Sequence, residues 1–367
     1  MEADDRFKLY HILTCSYPHL RQLKPKKLNA TFKATKDLRF KGLPDGSHTN
    51  SMTRMQGNRY LLSVATCGAL ISKAYGVDVD TMTAESLELN ADYGITNGFV
   101  DGEYMLLVVS NEPMAILRDQ QVIGHIEFMV KIEFCKNSRS IRGRYAQHVG
   151  RSVYAVDYYA GLYRIEWQDI KDGKYVKTLV KKNVENFYVD GRLGLATLNE
   201  NHTLALPSGT VVDLKAKVDS EARWTRVTRI AKCWIACGER DLKTDGYAIM
   251  ASVGNKGDII STLTLKLTSN GYEYRDTKFA GIFTLNPAFV TGRRGIMLAI
   301  ERDGCCHLIS VAYGIMSKLQ SIASIVNVDV IKDESERIVT SVTATGIEGK
   351  FIAGGYGWNR LISLKLK

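Results

Sequence analysis

The side chains able to ligate a metal are few and poorly spaced. Cys233 and Cys237, in Cys-Trp-Ile-Ala-Cys, have a spacing that half of a zinc site could use, but a structural site needs four ligands, and after Cys237 no Cys or His occurs until Cys305. On a strand the two thiols would share a face yet stand roughly 13 Å apart, too far to share one ion. Adjacent Cys305 and Cys306 would point to opposite faces of an extended chain. The seven cysteines (Cys15, Cys67, Cys135, Cys233, Cys237, Cys305, Cys306) are odd in number and sit mostly in apolar, strand-like runs. They read as reduced core residues in a reducing compartment, with no metal and no cofactor expected.

Nucleophilic chemistry has no local signature. His11, His19, His48, His125, His148, His202 and His307 never pair at ligand spacing, and no Gly-x-Ser-x-Gly turn occurs. Gly354-Gly355-Tyr356-Gly357 and Gly254-Asn255-Lys256-Gly257 resemble phosphate cradles in composition only. Neither follows a strand and opens a helix, so both read as hairpin turns. No catalytic residue is assigned. A triad assembled from distant loops would leave no mark in the sequence.

Charge is the remaining chemistry. The chain of 367 residues carries 49 Lys and Arg against 39 Asp and Glu, a net charge of +10, with an isoelectric point near 9.1. That balance favours acidic proteins, RNA or phosphate-bearing surfaces as partners. Two basic clusters stand out. One (Arg21, Lys24, Lys26, Lys27, Lys33, Lys36, Arg39, Lys41) fills a stretch from about 19 to 58 that holds Pro25 and Pro44 and reads as a long exposed loop, with Phe32 and Phe40 among the charges. The other (Lys136, Arg139, Arg142, Arg144, Arg151) lies further on. Lys24, Lys26, Lys27, Lys33, Arg142 and Arg144 are the candidate contacts to an anionic partner; the bland alternative is a solvated face.

These residues need a scaffold, and the sequence reads as strands. Ile338–Thr343 is β-branched, Gly346-Ile347-Glu348-Gly349 turns, Phe351–Gly355 is a short strand, and Arg360–Leu366 alternates apolar and polar residues. Similar strand-turn-strand pairs recur every 45 to 55 residues or so upstream. The expected pairs are Leu9–Cys15 with Arg59–Ala65, Tyr104–Ser110 with Met114–Arg118, Ser152–Tyr159 with Gly161–Trp167, Leu193–Leu198 with Thr203–Leu206, Tyr247–Val253 with Ile259–Leu265, and Gly295–Glu301 with Cys306–Val311. Asp303-Gly304 in the last of these is a strong hairpin signal. The acidic start Met1-Glu2-Ala3-Asp4-Asp5-Arg6 is unlike a secretory signal, and no long uncharged apolar run follows, so no membrane contact is expected.

In Gly349-Lys350-Phe351-Ile352-Ala353-Gly354-Gly355 and in Ile165-Glu166-Trp167 the chain resembles the WD40 family. No Trp-Asp dipeptide occurs, and the family's Gly-His pair appears once, at Gly124-His125. The resemblance implies an all-β fold, a single closed β-propeller of about seven four-stranded blades spanning residues 1–367, with the 19–58 loop as an insertion. It further implies a non-enzymatic scaffold in a cytoplasmic or nuclear multi-subunit complex, its basic loops selecting an acidic protein or RNA. A propeller hydrolase is the alternative: the order of segments resembles the propeller methylesterase of the diphthamide pathway, but Pro207-Ser208-Gly209 and Gly254-Asn255-Lys256 replace that family's Gly- and Asp-rich turns. No catalytic residue carries over. Direct nucleic-acid association is a third class, resting on charge alone.

Overall fold

Tyr104–Val109 is Tyr-Met-Leu-Leu-Val-Val, apolar throughout, and every residue from Met105 onward is buried. A strand can bury both faces only if another layer covers each. Leu106 and Val108 join one apolar cluster, while Met105, Leu107 and Val109 join another. Alternate residues of a single strand therefore serve two different neighbouring sheets, and this stacking of sheet on sheet builds the molecule.

The computed structural model describes residues 32–43, 47–55, 59–66, 72–87, 95–109, 112–130, 133–134, 141–142, 146–230, 233–240, 247–266, 284–286, 296–300, 305–311, 325–332, 339–344, 350–355 and 358–366. Among them lie seven four-stranded antiparallel sheets and one two-stranded hairpin. Strand β1 (Phe32–Arg39) belongs to the last sheet. The first comprises β2 (Ser47–Arg54), β3 (Arg59–Thr66), β4 (Ser72–Asp78) and β5 (Thr83–Ser86). The second holds β6 (Ile95–Asp101), β7 (Tyr104–Val109), β8 (Met114–Arg118) and β9 (Gln121–Ile126), and the hairpin β10 (Glu133–Phe134) with β11 (Ile141–Arg142) follows. The third is β12 (Ala146–Val149), β13 (Ser152–Val156), β14 (Leu162–Glu166) and β15 (Thr178–Lys181), with helix α1 (Trp167–Lys171) between its last two strands. The fourth is β16 (Val184–Asp190), β17 (Gly194–Asn199), β18 (Thr203–Ala205) and β19 (Val211–Asp213), followed by the short helix α2 (Leu214–Lys217). The fifth is β20 (Arg223–Ile230), β21 (Cys233–Arg240), β22 (Tyr247–Val253) and β23 (Ile259–Lys266). The sixth is β24 (Thr284–Asn286), β25 (Ile296–Ile300), β26 (Cys305–Val311) and β27 (Ile325–Lys332).

The last sheet joins the two ends of the described chain. Its order is β28 (Val339–Ala344), β29 (Lys350–Gly355), β30 (Trp358–Leu366) and then β1, which pairs antiparallel with β30 from Phe32 opposite Leu366 to Arg39 opposite Arg360. Arg360–Leu366, read from the sequence as an alternating strand, therefore lies between β29 and β1. First strands also stand beside one another: β2 lies against β6 and against β28, β12 against β16, and β16 against β20. Apolar clusters fill the spaces between the first and second sheets, from the second through the fourth, and between the fourth and fifth. Trp167, Trp224 and Trp234 are all buried there. Among the described residues no helix is long and apolar enough to cross a membrane.

Three expectations change. The 19–58 loop does not extend over its whole range, because residues 32–39 and 47–54 are strands; their lysines and polar residues are poor strand formers, and cross-strand pairing decides against local propensity. Accordingly β3 takes β2 and β4 as its partners, while Leu9–Cys15 falls outside the described residues. Trp167 opens α1 instead of ending the strand before it, and its buried indole N–H donates to His148 Nε2 at 2.8 Å.

Candidate interaction surface

Of the six residues picked out for charge, Lys33 and Arg142 lie among the described residues. Lys24, Lys26, Lys27 and Arg144 lie outside the described residues. Lys33 is on β1, in register with Lys365 of β30, and Arg142 is on β11, in register with Glu133. The two belong to different sheets.

Many of the carboxylates hold turns. Asp157 accepts from the Tyr159 and Gly161 amides at 3.0 and 2.7 Å, between β13 and β14. The Thr81 and Asp80 amides hold the Asp78 carboxyl below the usual carboxylate range. Asp213 caps α2 by accepting from Ala216 at 2.9 Å. Such bonds satisfy amides that a tight turn would leave unpaired, and they fix the loops at the sheet ends.

A second set of polar groups braces the fourth sheet to the fifth. The Arg229 guanidinium pairs with Asp190 at 3.2 Å, lies 4.9 Å from the Trp234 ring centroid and donates to Asn255 Oδ1 at 3.2 Å. Trp234 Nε1 donates to the same oxygen at 3.1 Å, and Ser208 of the fourth sheet donates to the Asn255 carbonyl at 2.9 Å. Burial pushes the Asp190 carboxyl up, but the Arg192 and Leu193 amides and the Arg229 charge outweigh it, so its pKa lies below the usual range. Burial, with the Asp190 charge, pushes the Tyr188 hydroxyl up. Cys233 and Cys237 are buried cysteines on β21, and burial pushes the Cys237 thiol up to about 12.

The outer margin of the third sheet is different in kind. Trp167 and Ile170 anchor α1 in the core, Gly173 at φ +73 turns the chain out of the helix, and Lys174 N–H donates to the Asp169 carbonyl. The chain then runs Lys174-Tyr175-Val176-Lys177-Thr178-Leu179-Val180-Lys181-Lys182 along the edge. Tyr175 packs on Gly124 of β9 so closely that a Cβ there would stand 2.1 Å from its ring. Lys177 Nζ donates to the Glu127 carbonyl at 2.5 Å and lies 5.1 and 4.9 Å from the Phe128 and Tyr163 ring centroids. Lys171 pairs with Asp101 at 2.6 Å. These contacts weld the edge of the third sheet to the second and leave Val176, Leu179 and Val180 at 51%, 44% and 40% exposure. Nearby, an antiparallel bridge between Val130 and Asp157 brings exposed Met129 alongside the turn that carries Tyr159, itself 86% exposed. A shallow concavity of ≈ 260 Å³ lined by Val109, Glu112, Pro113, His125 and Glu127 opens on the second sheet.

Sequence reasoning missed this margin. Leu179 and Val180 fall in β15, within the stretch 168–192 to which the expected strand pairs assign nothing. The signal available was the interleaving of four lysines with three apolar residues over 174–182.

No protein-family model and no curated protein sequence matches the chain. Its fold does have solved counterparts. The WD40 β-propeller domain of Doa1 aligns with a TM-score of 0.53 at 11% identity, over 90% of this chain and 97% of that one. A chain of the Mitotic Checkpoint Complex aligns with 0.53 at 11% identity, over 93% and 94%. The β-propeller domain of Cps50 (Swd1) from Myceliophteria thermophila aligns with 0.50 at 10% identity, over 91% and 100%. At these identities the likeness is one of fold alone, and the fold of the chain is similar to that of WD40 β-propeller domains.

Proposed function

We propose that this chain is a non-enzymatic assembly platform that holds protein partners together within a multi-subunit complex of the cytoplasm or nucleus. It works as a single closed ring of seven blades, shut by the pairing of β1 with β30. That pairing is the observation that carries the reading. A ring closed by both ends of its chain protects its sheet edges and gives a rigid disc whose loops vary independently of the core. The turn carboxylates and the Arg229 brace support the same reading, since they fix loop geometry. One of the structures similar in fold was solved as part of the Mitotic Checkpoint Complex. Lys24, Lys26, Lys27, Lys33, Arg142 and Arg144 supply positive charge that steers an acidic partner. Affinity purification of the full chain with mass spectrometry is the test. A stable, stoichiometric set of proteins supports the platform; a chain without partners that hydrolyses ester substrates, or one that elutes with RNA alone, overturns it.

A further inference from the structure

We propose that the outer edge of the third sheet is a docking strand, where β15 receives an extended acidic and apolar segment of a partner protein as a fifth antiparallel strand. The inference rests on the platform reading and names the surface and the partner chemistry. Among the described residues β15 ends its sheet, pairing with β14 on one side only, so the backbone N–H and C=O groups on its other side meet no strand among them. Such an edge is a template for strand addition.

Its side chains set it apart by degree: the outer strands β9 and β19 each expose one large apolar residue, Ile123 and Val211, whereas β15 exposes two in succession. In β5, Thr83, Glu85 and Ser86 are the exposed residues, as suits an edge facing water. In β15, Leu179 and Val180 are both exposed, Val180 being the extra residue of a β-bulge in the pairing with β14, and Val176 adds a third apolar contact just before the strand. An incoming strand would therefore find exposed apolar side chains beside an edge with no paired strand among the described residues.

Charge selects the occupant. Residues 171–182 contain Lys171, Lys174, Lys177, Lys181 and Lys182 against the single acid Asp172. Lys171 is answered by Asp101, Lys177 donates to the Glu127 carbonyl and Lys181 to Thr197 Oγ1 at 2.6 Å, so the charge offered to a partner rests chiefly on Lys174 and Lys182. Lysines on an edge deter pairing with a second copy of the same strand, because antiparallel addition would set like charges against each other. The same lysines favour a strand bearing Asp or Glu. An acidic segment with apolar residues at alternate positions fits both the charge and the exposed side chains.

A fluorescein-labelled peptide of alternating Glu and Val, about twelve residues long to overreach the strand, is the probe. It is titrated into the full chain by anisotropy, with hydrogen exchange read over residues 176–182. The expected result is binding that slows exchange in β15 and weakens about tenfold or more for Leu179→Ser/Val180→Ser. Binding should also be abolished when alternate peptide nitrogens of the probe are methylated, which removes strand pairing without altering the protein. Absence of binding up to millimolar probe, binding without protection of β15, or equal binding of a Lys-Val peptide overturns the proposal, as does an RNA oligonucleotide that occupies the edge in preference. Purification of the Leu179→Ser/Val180→Ser protein separates the two readings. If the peptide fails while this variant and the wild type retain the same stoichiometric partners, the docking strand is refuted and the platform stands; if neither protein retains partners, the platform itself fails.

Discussion

Replacing Arg229 with Met removes a charge from the brace between the fourth and fifth sheets while keeping an unbranched apolar stem. At 3.2 Å, and with an effective dielectric of about 20, the gross attraction of Arg229 for Asp190 is about 5 kcal/mol. Desolvation offsets most of that, because the side chains are only 11% and 23% exposed. The stacking on Trp234 contributes about 1 kcal/mol more. The expected net loss of stability is about 2 kcal/mol, large beside ordinary surface substitutions. Asp190→Asn is the partner variant, because its amide oxygen still accepts from the Arg192 and Leu193 amides while the charge is gone. A double-mutant cycle by denaturant unfolding should give a coupling of about 1–2 kcal/mol at neutral pH. The pH dependence has a fixed sign. The folded Asp190 pKa lies below its unfolded value, so its contribution is present above about pH 4 and is lost as the pH falls through the folded value. The stability gap between wild type and Arg229→Met should therefore narrow in acid, without vanishing, because the contacts to Trp234 and Asn255 do not titrate there. A coupling below about 0.3 kcal/mol, or a gap independent of pH, would refute the assignment of this cluster as an inter-sheet brace.

Exchanging Lys24, Lys26, Lys27 and Lys33 for Gln should leave the melting temperature nearly unchanged while weakening partner binding most at low salt, as a titration of the purified complex at two ionic strengths would show. Gly98→Ala should cost about 1–3 kcal/mol by overpacking, since its Cβ would lie 2.1 Å from Leu61 Cδ2 and 3.0 Å from Leu107 Cδ2 in the core; Gly191→Ala, with nothing within 4 Å, is the thermal-melt control. Cys237, with its thiol pushed up to about 12 by burial, should stay unlabelled by iodoacetamide at mildly alkaline pH in the folded protein and label on unfolding, read by peptide mapping.

The legible parts of the fold were those with local signals on both sides of a turn. Tyr104–Val109 with Met114–Arg118, and Tyr247–Val253 with Ile259–Lys266, announce themselves through apolar runs flanking turn residues, and both pair as expected. Strand β2 announces nothing. Ser-His-Thr-Asn-Ser-Met-Thr-Arg has the composition of a loop and becomes a strand through its register with β3. The same holds for lysine-bearing β1, whose partner lies at the far end of the chain, so no local window contains the signal. The candidate surface was illegible for a related reason. Nothing in the local pattern separates Leu179 and Val180 from buried residues of other outer strands such as Ile126 of β9 and Val212 of β19, because exposure there depends on what packs against each strand, which spacing does not encode.

The pairing of β1 with β30 is the claim on which the closed platform depends, and a cross-link between them tests it most directly. Ala34 and Leu364 are opposed in that register. In the Ala34→Cys/Leu364→Cys protein, mild oxidation should yield an intramolecular disulfide joining these two positions, mapped by mass spectrometry of the monomer, with a raised melting temperature that reverts on reduction. A disulfide that forms only between copies, or none at all in a folded monomer, would contradict closure of the last sheet by residues 32–39.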